Sequence, residues 1–147
     1  MADWELYTWK YHPHWKTYRF EIRLKGFTLD PMQETRGIIQ SLHQQFLRTW
    51  NAVYSFSIIN NNGKSFFLNR GKDNQILWLA NIESVEFSKA FDHIVEKVLN
   101  SNETFELDVF TTMVVQFHLP PSSRHVPYIH HVHMIPQEEI RRNGKQN

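Results

Sequence analysis

The chain has 147 residues, of which 41% are hydrophobic, 21% charged and 14% aromatic, a composition outside the low-hydrophobicity, high-charge range of disordered chains. Its 16 Lys and Arg against 15 Asp and Glu leave a net charge of +1, so any argument for a polyanionic partner rests on where the cations lie. There is no cysteine, which excludes disulfides, thiolate metal sites and a thiol nucleophile.

A chain of this length makes one ordinary domain, burying about 68–70% of the surface its unfolded form exposes. No stretch approaches about eighteen consecutive apolar residues. The start, Met1-Ala2-Asp3-Trp4-Glu5, lacks the basic and apolar regions of a secretory signal. The expectation is an intracellular protein, cytoplasmic or nuclear, with no membrane partner.

In chain order, Leu6 to Tyr11 is a strand candidate, closed by a turn at Tyr11-His12-Pro13-His14, where Pro13 interrupts pairing. From Trp15 to Leu24, Tyr18, Phe20, Ile22 and Leu24 alternate with Arg19, Glu21 and Arg23, the period of a strand with one buried face. Asp30 as cap and Pro31 at the first helical position predict a helix over 31–49. Glu34 follows at the spacing of a capping box, and Ile38, Ile39, Leu42, Phe46 and Leu47 form the apolar face.

Two β-rich runs, Ala52 to Ile59 and Lys64 to Leu68, flank Asn60-Asn61-Asn62-Gly63 and predict a hairpin. Ile76 to Leu79 reads as a short strand. Ser84 caps a second helix whose face carries Phe87, Ala90, Phe91, Ile94, Val98 and Leu99, ending at Asn100-Ser101-Asn102. Phe105 to Leu119 alternates as a long strand that Pro120-Pro121 stops. The fold class expected is α+β: a mostly antiparallel or mixed sheet of five to six strands with two amphipathic helices on one face. Residues 1–120 make the single domain, and 121–147 an irregular extension containing Pro and His.

Five histidines, His118, His125, His130, His131 and His133, suggest a divalent metal, since neutral imidazole is a common ligand. On a strand, His131 and His133 would share a face and converge on one ion, as in a nicking endonuclease of the histidine-hydrophobic-histidine type. The nucleophile would then be Tyr128 or a tyrosine of the N-terminal region. The bland reading is a set of surface and packing histidines with no cofactor.

The N-terminal stretch interleaves Trp4, Tyr7, Trp9, Tyr11, Trp15, Tyr18 and Phe20 with Lys10, His12, His14, Lys16, Arg19 and Arg23. Exposed aromatic faces beside cations stack on bases and meet phosphates in single-strand binders, whereas a hairpin with a core-facing aromatic side has the same pattern. Glu103, Glu106, Asp108 and the pair Glu138-Glu139 read as solvated charges rather than acid–base catalysts. Gly71-Lys72 lacks the preceding glycine of a phosphate-binding loop.

Val85-Glu86-Phe87 through Leu99-Asn100-Ser101-Asn102-Glu103-Thr104-Phe105-Glu106-Leu107-Asp108, followed by Phe117-His118-Leu119-Pro120, resembles the region ahead of the exonuclease in protein-primed family B DNA polymerases of Polinton (Maverick) mobile elements and related viruses. In that family a helix leads into a turn reading leucine, any, serine, asparagine, glutamate, any, phenylalanine, and then into a strand ending in leucine-proline. The resemblance spans residues 35–120, and its most specific part is only about twenty residues long. Neither set of catalytic carboxylate motifs of the exonuclease-polymerase body is present, so the resemblance implies a stand-alone or truncated leading module in DNA replication, without functional residues to carry over.

The reading these features support first is a non-catalytic module of viral or mobile-element type that contacts DNA or another nucleic acid, or a replication partner. Lys10, Lys16, Arg19, Arg23, Arg141, Arg142 and Lys145 would meet phosphate, and Trp4, Trp9 and Trp15 would stack. A protein–protein interaction domain using the same aromatics as anchors is the alternative, and a metal-dependent nicking enzyme using His131 and His133 is the third.

Overall fold

The computed structural model describes residues 4–47, 49, 51–69 and 76–119. Five strands and two helices alternate in the order β1 (Trp4–His12), β2 (Thr17–Leu24), α1 (Pro31–Phe46), β3 (Val53–Ile59), β4 (Ser65–Phe67), α2 (Val85–Asn100) and β5 (Thr112–His118). They form one sheet in the order β1-β2-β5-β3-β4, every neighbouring pair antiparallel. The α+β expectation is met, with an antiparallel sheet and both helices on one face.

Last in the chain, β5 lies at the centre of the sheet. It pairs with β2 and β3 over full length, Phe20 and Phe56 both facing Val115, and Tyr18 and Tyr54 both facing Phe117. That shared face is the core. Phe46 of α1 packs on Phe20 with ring centroids 4.9 Å apart, and Phe87 of α2 packs on Phe56 at 5.5 Å. Such tilted contacts between fully buried rings add to the area term that dominates stability.

Local chemistry sets the element ends. The Asp30 carboxylate accepts from the Gln33 backbone N–H at 3.2 Å, so the residue at the reciprocal capping position is Gln33 and not Glu34. The first helix stops at Phe46, short of the expected 49, and Thr49 turns back so that its carbonyl accepts from His43 Nε2 at 2.7 Å. Ser84 caps α2 through the Glu86 N–H at 3.3 Å. Beyond α2, Asn102 takes φ of 61°, the Asn102 N–H reaches the Leu99 carbonyl at 3.0 Å and the Glu103 N–H reaches Val98 at 3.3 Å. That pair of bonds is a Schellman termination, which satisfies carbonyls the helix leaves open.

Two expected strands are shorter than their patterns. Ile76 to Leu79 contributes a single bridge, Val53 to Trp78, and then a 3₁₀ turn, Leu79–Asn81. Phe105 to Thr111 is not strand: Asp108 Oδ1 accepts from the Phe110 N–H at 2.9 Å and Thr111 Oγ1 donates to the Glu106 carbonyl at 3.1 Å, a local turn that competes with the ladder. Leu107 is buried in that turn, which is why its alternation imitates a strand. The hairpin at Asn60 to Gly63 is present, with Gly63 at φ of 82° and Asn60 Oδ1 accepting from the Asn62 and Lys64 N–H groups. The extension expected over 121–147 lies outside the described residues.

Candidate nucleic-acid interface

The helices cover one face of the sheet and leave the other uncovered among the described residues. Alternation along the strands determines what that second face carries. Across it run the rows His12, Thr17, His118, Val53; then Lys10, Arg19, Gln116, Ser55; then Thr8, Glu21, Val114, Ser57, Phe67; then Glu5, Arg23, Thr112, Ile59, Ser65. Lys10 and Arg19 stand directly opposite each other, a like-charge pair that costs stability in an antiparallel ladder. Arg19 also pairs with Glu21 on its own strand, and its guanidinium borders a shallow cavity of about 290 Å³ with Ser55, Ser57, Phe67 and Gln116.

The remaining cations of this region are Arg23 and Lys25. The Arg23 guanidinium lies over the Tyr7 ring, 4.4 Å from its centroid, and Lys25 reaches Glu5 at 3.7 Å. Against these four cations, Lys10, Arg19, Arg23 and Lys25, two carboxylates among the described residues form ion pairs, Glu21 with Arg19 and Glu5 with Lys25. Ion pairs this exposed are worth little and exchange readily for a phosphate.

At the β1–β2 turn the Lys16 N–H reaches the Pro13 carbonyl at 3.3 Å and Lys16 takes φ of 49°. Trp15 is 71% exposed there, the His14 ring edge-on to it with centroids 4.7 Å apart. The turn is held from below: Thr17 Oγ1 donates to the Trp15 carbonyl at 3.0 Å and lies 3.0 Å from His118 Nδ1, while the Leu119 N–H donates to the Lys16 carbonyl at 2.9 Å.

Of the aromatic residues expected to stack, only Trp15 is presented. Trp4 is 2% exposed, inside the core beside the helices, because it falls on the face of β1 that carries Leu6. Trp9 is half-buried and packs on Phe46 at 6.2 Å. A stacking role for Trp4 is overturned, and Trp9 is a packing residue. Ser55 and Gln116 join the face without having been singled out, and Tyr7, named only within the aromatic run, joins it as well. Their outward positions in β3 and β5 were readable from alternation, whereas the placement of Tyr7 was not, since it depends on a bulge in β1.

Lys10, Lys16, Arg19 and Arg23 are thus gathered on one face and its adjoining turn. Arg141, Arg142, Lys145, His125, His130, His131, His133 and Tyr128 lie outside the described residues. His118 sits on the uncovered face and borders a cavity of about 460 Å³ at the edge of β3 together with Glu86, Lys89 and His93. Among the described residues no group of three or more His, Asp or Glu side chains is arranged to hold a metal ion. Burial pushes the Tyr11 and Tyr54 hydroxyls up, the nearby Glu86 carboxylate adding to the rise at Tyr54, so neither is poised as a phenolate nucleophile.

No described helix is long and apolar enough to cross a membrane. No protein-family model, curated protein or solved structure matches the chain.

Proposed function

We propose that the uncovered face of the sheet and the β1–β2 turn bind single-stranded nucleic acid, as a non-catalytic module of a replication system. The observation that carries this reading is the Lys10–Arg19 pairing. Two cations held opposite each other on an open face repel, and a bound phosphate removes that repulsion. Trp15, exposed beside Lys16 at the end of the same face, supplies a stacking ring, and Arg23 over Tyr7 supplies a second mixed platform. A setting in DNA replication follows from the resemblance to the leading region of protein-primed polymerases, and a viral or mobile-element origin belongs to the same reading.

Fluorescence anisotropy of labelled single- and double-stranded DNA and RNA across a salt series tests it. Log affinity is expected to fall linearly with log salt. Arg19→Ala is expected to reduce that slope by about 0.7 for a single strand. Trp15→Ala is expected to weaken binding by about 1–3 kcal/mol with the slope unchanged. Absence of binding at low salt overturns the reading. It then moves the search to protein partners, for which Phe27, Leu29 and Phe110, exposed at the opposite end of the sheet, are the anchors.

A further inference from the structure

At the end of the sheet that holds the β1–β2 turn, the open face is crossed by the row His12, Thr17, His118, Val53. The row does not stop at β3. Trp78 forms an isolated antiparallel bridge with Val53, in which the Tyr54 N–H donates to the Leu77 carbonyl and the Leu79 N–H to the Ala52 carbonyl, each at 2.9 Å. Those bonds flank the pair rather than join it, the arrangement that brings facing side chains closest. Leu77 and Leu79 are buried in the core, so alternation turns Trp78 between them to the open side, where it is 40% exposed. The row thus runs from the turn that presents Trp15 to a second exposed tryptophan.

Beside it, two residues further along each strand and about 6.5 Å away, runs the row Lys10, Arg19, Gln116, Ser55. Its cations stand on the side of Trp15. On the side of Trp78, Gln116 and Ser55 supply an amide and a hydroxyl, groups that contact phosphate and sugar oxygens without charge. A polymer with an anionic backbone and flat rings along one edge fits this pair of rows, its backbone over the second and its rings toward the tryptophans of the first. Three strand spacings, about 14 Å in all, separate Thr17 from Trp78, and Trp15 lies beyond Thr17 in the turn. One base cannot touch both indoles, whereas a strand of several nucleotides reaches from one to the other.

We propose that a single strand crosses the sheet at right angles to its β-strands, its backbone over Lys10, Arg19, Gln116 and Ser55, with one base stacked on Trp15 and another on Trp78. The path rests on the nucleic-acid reading above and deepens it: Trp78 is the second stacking residue, and strand length becomes the property the surface selects. In a duplex the bases are stacked on one another and offer neither indole a face, so the ligand is single-stranded. The cations at the Trp15 end hold a short strand there, and only a longer one gains the contact with Trp78.

Competition against a labelled strand by unlabelled oligothymidylates, from two nucleotides to about a dozen, tests the path. Affinity is expected to step upward once the strand is long enough to reach both tryptophans. Trp78→Ala is expected to remove that step, a loss of about 5- to 150-fold for the longest strands, and to leave the shortest unchanged. Trp78→Leu keeps apolar cover over Val53 without an aromatic face and is expected to behave as Trp78→Ala does, while Trp78→Phe is expected to retain most of the step. Circular dichroism melting verifies that each variant is folded. Duplex DNA of the same length is expected to be indifferent to all three substitutions. A protein that binds no strand overturns the nucleic-acid reading and this path with it. A protein that binds strands overturns the path alone if Trp78→Ala and Trp78→Leu match the unsubstituted protein at every length, weaken the shortest and longest strands alike, or weaken duplex binding equally.

Discussion

Thr17 Oγ1 lies 3.0 Å from His118 Nδ1 and gives its proton to the Trp15 carbonyl, also at 3.0 Å. A hydroxyl has one proton to give, so the contact with His118 requires Nδ1–H to donate, and a neutral His118 then carries its lone pair on Nε2. One side chain thus ties the central strand to the turn that presents Trp15. Thr17→Val keeps the shape and removes both bonds. It is expected to lower stability by about 1–3 kcal/mol, read as a shift in urea midpoint at constant m, with Thr17→Ser recovering most of the loss.

The two tryptophans of contrasting burial separate packing from presentation. Trp4→Ala empties a core position and is expected to cost about 3–5 kcal/mol of unfolding free energy. Trp15→Ala is expected to change stability by no more than about 0.5 kcal/mol, since its ring is outside the core. Urea denaturation of the two variants side by side checks this. Equal effects would show that the turn packs elsewhere.

His43 is 3% exposed, donates through Nε2 to the Thr49 carbonyl, and has its pKa lowered by burial, the carbonyl contact opposing that shift in part. Below the ordinary histidine value of about 6.5 the unfolded chain takes up a proton that the folded chain refuses, so unfolding gains protons and stability falls as the pH drops. Thermal unfolding between pH 7.5 and 5 is expected to show this decline. His43→Gln, which keeps a donor for Thr49, is expected to flatten it. A slope that persists in the variant assigns the effect to other groups.

At the end of α2, Asn102 occupies the left-handed region that the Schellman termination demands. Asn102→Val, branched at Cβ, is expected to lose about 1–2 kcal/mol. Asn102→Gly is expected to lose nothing, or to gain a few tenths of a kcal/mol. Differential scanning calorimetry of both variants resolves these signs.

Much of the scaffold is legible along the chain because its determinants are local. The Asp30-Pro31 and Ser84 starts, the Asn102 stop and the Gly63 turn each depend on the chemistry of a few neighbouring residues. Strict alternation in β2 likewise announces which side of that strand is buried. The same alternation misleads at Phe105 to Thr111, where Leu107 enters the core from a turn and not from a strand. Ile76 to Leu79 misleads because an apolar run is buried equally well in a 3₁₀ turn.

The candidate site was half readable. Residue types and alternation announced that Lys10, Arg19 and Arg23 lie on exposed positions of paired strands. Pairing partners are set by contacts far apart in sequence. No local pattern places β5 between β2 and β3, sets β1 outermost among the described strands, or gathers Gln116 and Ser55 beside Arg19. Nor does any local pattern reveal the extra residue at Tyr7, which exists only as a mismatch between two strands and reverses the faces of the residues on either side. Hydrophobic periodicity therefore dictates that the first hairpin has a wet and a dry side. Strand register assigns Trp4 to the dry side, because a shift of one residue exchanges every side chain between faces.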